Sequence, residues 1–290
     1  MPLNTTDEEL RLAAANDLAQ KLKLERRQII ELRELFRNMS ADMFAFVSET
    51  GNAPQATAYT DDLRGILSKQ GRRTGAAFSG QVVDFLDEAD EDESIIEELA
   101  IIAAVSGLTV ADILAKLRND VRVKDQEFIA DQVTRDTAFI TRTNQNEMDA
   151  AVASARATII EDGKVPTNAE VARIASKDFR NRGFGRSPTI AATFTQKIAE
   201  GVKSIERDLF FSARNGFPAV TANIAQIVEI EIWVTVGDEV VRVSHVVVDF
   251  TEKVDGGFIV QGEFLRFPGD PNGSASNIIN CRCSVLLVIE

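Results

Sequence analysis

The residue types that could build a reactive or metal-holding site lie near the C-terminal end. His245 is the one histidine of the chain, and Cys281 and Cys283 are its two cysteines. An imidazole and two thiols are donors that suit zinc, and a carboxylate such as Asp238 or Asp249 would complete a set of four. Cys-x-Cys is tighter than the usual structural-zinc spacing, so two further readings stand beside the metal. The thiols either pack as small apolar groups or form a strained mutual disulfide. They do not make the framework of a disulfide-rich secreted domain. No Ser or Cys nucleophile accompanies His245 in a recognisable frame, so it reads as structural before it reads as a general base. Asp238 and Arg242, four apart around a turn, are expected to pair and to fix the loop carrying His245. Asp270, inside Pro268-Gly269-Asp270-Pro271, is placed to accept backbone N–H bonds in a tight turn.

A second chemistry is basic. Lys177, Arg180, Arg182 and Arg186 interleave with Phe179 and Phe184 around Gly183 and Gly185. As a glycine-loosened loop, this stretch would either touch DNA phosphates without reading sequence or pair with carboxylates elsewhere. The formal net charge of −13 excludes a protein that coats nucleic acid over its whole surface.

The chain ahead of the C-terminal groups reads as helical. Thr6 to Glu9 spells a capping box, and Leu18, Leu22, Ile29, Leu32, Phe36, Met39 and Met43 follow in steps of four and three. They predict one long helix over residues 1–54, ended by Gly51 and Pro54, that serves as a docking arm or folds back on later helices. Residues 55–165 read as helical, with a loop at Gly71 to Gly75 and an acidic, solvated helix face from Asp84 to Glu98. Ile95 to Val105 and Leu108 to Leu117 have helical spacing, and Thr109 with Asp112 caps the second. Residues 166–216 read as two helices, one capped by Thr167 and Glu170 and one opened by Ser187 and Pro188. No apolar stretch is long enough to span a bilayer, and a cytosolic origin is expected.

The period then changes. Val228 to Val236 alternates, with Ile230, Ile232 and Val234 on one face and Glu231, Trp233 and Thr235 on the other. Trp233 therefore needs either a second layer over it or a partner. Further β-type runs are expected at Glu239 to Phe250, Gly257 to Phe267 and Cys281 to Ile289. The fold class is α+β: a long helical N-terminal region, 1–225, followed by a small, mainly antiparallel β module, 226–290.

Trp233, then Gly237 to His245 (GDEVVRVSH), then Phe267 to Pro271 (FPGDP), then Asn280 to Cys283 (NCRC) occur in that order. Together they resemble the signature of the phage Mu F-like minor head proteins, over roughly the last hundred residues. The resemblance implies a non-enzymatic minor capsid protein of a tailed bacteriophage. Such a protein associates with the portal protein and other head components at the portal vertex and acts in head morphogenesis or genome packaging and ejection. It places Asp238, Arg242, His245, Asp270, Asn280 and Arg282 in a structural brace, and localises the protein to the virion after assembly in the host cytoplasm. Two other classes stand against it: a metal-dependent nuclease or hydrolase acting on DNA through His245, and a toxin-like effector. A single histidine and the lack of paired metal-binding carboxylates weigh against the first, and the helical N-terminal region against the second.

Overall fold

A computed structural model describes residues 6–79, 109–215, 229–239 and 241–289. The chain is mostly helical, with a small antiparallel sheet at its C-terminal end. Four long helices come first: α1 (Asp7–Thr50), α2 (Thr60–Phe78), α3 (Val110–Glu161) and α4 (Asn168–Asn215), with a 3-10 turn at Ala56–Tyr59. Their starts obey local chemistry. The Thr6 hydroxyl accepts from the Glu9 N–H while the Glu9 carboxylate accepts from the Thr6 N–H, and Thr109 with Asp112 does the same for α3. Thr167 accepts from the Glu170 N–H at α4. These reciprocal bonds satisfy the donors that a helix start leaves free. Gly51 and Gly163, both in the left-handed region, stop α1 and α3.

Two expected breaks are absent. Residues 71–75 lie inside α2, where Gly75 serves close packing: a Cβ there would stand 2.7 Å from Ile129. The two helices expected over 166–216 are one over the described residues, because α4 runs unbroken from Asn168 to Asn215 through Pro188. Pro188 has no N–H for the turn before it, but the adjacent Ser187 hydroxyl donates to the Gly183 carbonyl at 2.8 Å and reinforces that turn. The segments Asp84 to Glu98 and Ile95 to Val105 lie outside the described residues.

The remaining elements are β1 (Glu229–Thr235), α5 (Val243–Val246), β2 (Thr251–Glu252), β3 (Phe258–Val260), β4 (Glu263–Leu265), α6 (Ala275–Ile278) and β5 (Cys283–Ile289). One sheet has the order β2-β1-β5, antiparallel throughout, with Thr235 opposite Cys283 and Ile232 opposite Glu252. The other is the β3-β4 hairpin, closed by Gln261 and Gly262, both at positive φ as a tight primed turn requires. The β run expected from Glu239 to Phe250 is instead the short α5 and turns; Val243, Val246 and Val247 face solvent there. A run of valines reads as a buried strand only where a partner strand exists, and β1 already pairs with β2 and β5.

The chain divides into two compact units: Met1–Leu22, Arg72–Ile129 and Thr195–Glu290 form the first, Lys23–Gly71 and Ala130–Phe194 the second. The division does not fall at residue 225, because each long helix contributes residues to both units. In the second unit, Leu32, Phe36, Met39 and Met43 of α1 are fully buried, as their spacing predicts. Phe36 meets Phe179 edge to face, ring centroids 6.0 Å apart.

In the first unit the sheet is covered on both faces. Ile232, Val234, Leu286 and Val288 pack on Leu10 and Ala14 of α1. Trp233, Cys283 and Val285 face a core made by Val248, Phe258, Val260, Leu265, Phe267 and Cys281, with Phe128 of α3 against it. The second layer expected over Trp233 is this core. The outer edge of β5 would leave backbone groups unpaired. Side chains of α4 cap them: Gln196 donates to the Cys283 carbonyl at 2.7 Å, and Glu200 accepts from the Val285 N–H at 3.1 Å.

Candidate metal centre

Two parts of the chain bring the three donors together. Strand β5 and the residues before it present Cys281 and Cys283 to the Trp233 face of the sheet, two residues apart and so on one side. Asn280 enters that strand at φ 52, a conformation asparagine tolerates better than most residues. Helix α5 brings His245 to the same place. Its Nδ1 lies 3.3 Å from Cys283 Sγ and 3.6 Å from Cys281 Sγ. All three ligand atoms fall within 4.8 Å of one another, and all three residues are buried.

The brace differs from the expected pairing. Asp238 does not pair with Arg242; it accepts from Arg282 at 2.6 Å. Arg242 donates instead to the Ile279 carbonyl, just before Asn280. Both ties therefore cross from the loop carrying His245 to the strand carrying the cysteines, which a sequence spacing of four does not reveal. Asp270 does act as expected within its turn and reaches further. It accepts from the N–H groups of Arg266 and Asn272 at 3.0 and 3.1 Å, and from the Arg266 guanidinium. Gly269 at φ 81 makes that turn passable.

The electrostatics favour a shared negative charge. Burial pushes the Cys281 thiol up, but hydrogen bonds from Cys283 and His245 outweigh it and hold Cys281 well below the usual thiol range. Burial, reinforced by hydrogen bonding to Cys281 and by its charge, pushes Cys283 well above that range. The Trp233 indole stands edge-on to the His245 ring at 5.6 Å. Both thiols are free, not joined as a disulfide.

The donor set fits a zinc ion in part. Nitrogen and sulfur ligands at ordinary zinc distances on two corners of a tetrahedron lie about 3.6 Å apart, and the two measured N···S separations match. The other imidazole nitrogen, Nε2, is buried and finds no hydrogen-bond partner among the described residues. A ligating histidine normally has one there. Neither expected carboxylate completes the set: Asp249 accepts from Arg11 at 2.8 Å and from the Thr235 N–H at 2.8 Å, and Asp238 is engaged by Arg282.

Beside the thiols lies an ion cluster that the apolar pattern passes over. Lys21 of α1 donates to Glu200 of α4 at 2.6 Å and lies 3.1 Å from Asp17. Lys203 lies 2.8 Å from Asp17 and 2.7 Å from Glu200. The positive charge of Lys21 also favours the Cys283 thiolate. Burial works against the Lys21 charge, yet Asp17 and Glu200 outweigh it and raise its pKa. The sequence signal was present: Asp17 with Lys21 and Glu200 with Lys203 stand one turn apart inside apolar stripes.

The expected basic loop is not a loop. Lys177, Arg180, Arg182 and Arg186 lie on continuous helix, at angles that spread them around α4. Arg182 pairs with Asp178 at 2.8 Å, and Arg186 is held by Glu147, Asn144 and the Phe36 ring. Gly183 sits on Phe36, where a Cβ would stand 2.5 Å from the ring.

Comparison of the chain with protein-family models, with curated proteins and with solved structures returned no match.

Proposed function

We propose that this chain is a minor head protein of a tailed bacteriophage, a structural component that docks at the portal vertex through its helices. One observation carries the reading. The four short motifs that resemble the Mu F-like signature, scattered over about fifty residues, come together in the first unit: Trp233, His245, Phe267, Cys281 and Cys283 share one core or touch it. Asp238, Arg242, Asp270 and Arg282 bond across the surrounding turns. Residues that matter for making a compact building block are expected to converge in this way; residues of a nuclease would line an accessible cleft. Burial of His245, Cys281 and Cys283 favours the first arrangement.

In the same reading the His245, Cys281 and Cys283 side chains would hold a zinc ion that ties α5 to the segment carrying the cysteines. Zinc would supply cohesion to a small module, not a reaction.

The test is co-expression with the portal protein of the same genome. The full chain should co-purify with it, and the protein should be present in precursor or mature heads. Failure to associate under any assembly condition, with absence from both kinds of particle, overturns the reading. Metal analysis of the purified chain should give close to one zinc per chain, falling on Cys283→Ser; a stoichiometry near zero in the parent protein removes the metal.

A further inference from the structure

The second unit carries a charged surface distinct from residues 177–186. Along α1, Lys23, Arg26, Arg27, Arg33 and Arg37 are all exposed, and none makes a hydrogen bond or ion pair with a described residue. Steps of three and four put Lys23, Arg26, Ile30, Arg33 and Arg37 on one stripe, with Arg27 beside it. Ile30 is 67% exposed at its centre. Leu32, Leu35, Phe36, Met39 and Met43 are buried on the other side and fix the rotation of the helix, so the stripe faces outward by necessity. Its length is about 21 Å at 1.5 Å per residue.

Several other exposed cations stand beside a carboxylate one turn away, Arg64 with Asp61, Lys124 with Glu127 and Arg135 with Asp131, while Arg72 and Lys177 are exposed single cations that form no comparable row. Along the stripe Lys23 with Arg27 and Arg33 with Arg37 are like pairs one turn apart, with Glu31 after Arg27 and Glu34 before Arg37 at helical spacing. Like charges at that spacing weaken a helix. The two like pairs give nothing to the helix, and the row stands on a chain whose net charge is −13.

We propose that this face of α1 binds the phosphate backbone of double-stranded DNA without reading its sequence. Duplex DNA offers one charge per ~1.7 Å of axis, so the stripe spans about twelve phosphates, more than its cations require. Arginine supplies all but one of those cations, and its planar fork takes phosphate oxygens two at a time. Ile30 and Glu34 lie between the cations and add no attraction for phosphate, so the contact rests on the charge of the five cations, and sequence independence is what two unrelated duplexes test. A membrane surface would need the apolar face of the helix free, and that face is buried in the protein. An acidic protein would need an apolar centre to its interface, and Ile30 alone supplies one. The inference does not depend on the head-protein reading or on the zinc.

The experiment is fluorescence anisotropy of the purified full chain with a labelled duplex of about 30 base pairs between about 50 and 200 mM salt. Five phosphate contacts predict a slope of log K against log salt near −4.5, equal for two unrelated sequences. Arg26→Gln/Arg33→Gln/Arg37→Gln should flatten the slope by about 2.7 and weaken binding by at least about tenfold at low salt. The corresponding triple arginine-to-lysine variant should keep the slope. Circular dichroism and the denaturation midpoint report folding; if the triple glutamine variant unfolds, Arg33→Gln and Arg37→Gln singly should each flatten the slope by about 0.9. Binding unchanged by these variants, loss on Lys177→Gln/Arg180→Gln alone, or no duplex binding at about 50 mM salt overturns the proposal. So does stripe-dependent binding of polyglutamate, or of phosphatidylglycerol vesicles, in place of DNA. Portal co-purification is scored separately, so either reading can fail alone.

Discussion

At the scale of single residues, Asp125 shows how burial sets a pH response. Its side chain is buried on α3 and accepts from the Ser79 hydroxyl at 2.6 Å. Burial raises its pKa from the usual carboxylate range to about 7; the Ser79 bond opposes this and the Glu206 charge adds to it. The folded chain therefore holds a proton at Asp125 that the unfolded chain has released. Stability should fall as pH rises from about 4 toward about 7 and level off above. In urea titrations at pH 5 and pH 8, Asp125→Asn should shrink the loss seen for the parent chain; an identical pH dependence in both would contradict the assignment. Gly183 carries a prediction of a different kind. A methyl group there would meet Phe36 at 2.5 Å, so Gly183→Ala should destabilise by about 1–3 kcal/mol through overpacking, despite alanine's better helix propensity. Stabilisation in a denaturant titration would restore the reading of Gly183 as a flexible loop residue.

Elements in the first unit are held by ions where a pattern reader expects hydrophobes. Lys21 occupies the inward side of α1 and is fully desolvated between Asp17 and Glu200. Glu200 in turn caps the edge of β5 through the Val285 N–H. Lys21→Met leaves two buried carboxylates facing Lys203 alone and should cost about 3–5 kcal/mol. Lys21→Met/Glu200→Leu should cost less than the sum of the two single changes, because the second removes the charge stranded by the first. A double-mutant cycle on denaturation free energies measures this, and strict additivity would mean the two side chains are not coupled. The same unit explains why the predicted Asp238–Arg242 pair is replaced. Each partner finds a group on the Cys-bearing segment, so the two bonds tie the loop carrying His245 to that segment, which a local pair would not do.

For the molecule as a whole, the compact units decide what can stand alone. Residues 226–290 leave exposed, without the helices, the faces that Leu10, Ala14 and Phe128 cover and the edge that Gln196 and Glu200 cap. That segment expressed by itself should give no cooperative unfolding transition, measured by tryptophan fluorescence in urea. A cooperative transition with the midpoint of the full chain would show the β module to be independent. The excess of carboxylates in the sequence falls largely in the first unit, while the second is nearly balanced; this leaves a chain of net charge −13 with a row of exposed cations that have no ionic partner among the described residues. No described helix is long and apolar enough to cross a membrane.

What the chain's order of residues settles by itself is local. The three helix caps, the stops at Gly51 and Gly163, the alternation of β1 and the turn at Asp270 follow from bonds that reach three or four residues, and each could be read from spacing. The nearness of His245 to Cys281 and Cys283 in chemistry, though not in distance, was legible from their scarcity. What only tertiary structure decided is where apolar and charged groups met partners far away. Val243 to Val247 stayed outside the sheet because no strand was left to pair with them. Gly75 and Gly183 became packing contacts because Ile129 and Phe36 came against them. Lys21 went inside because Asp17 and Glu200 were there to receive it. Apart from Asp17, one turn from Lys21, the deciding contacts join residues remote in sequence, and no periodicity within one segment encodes such a partner.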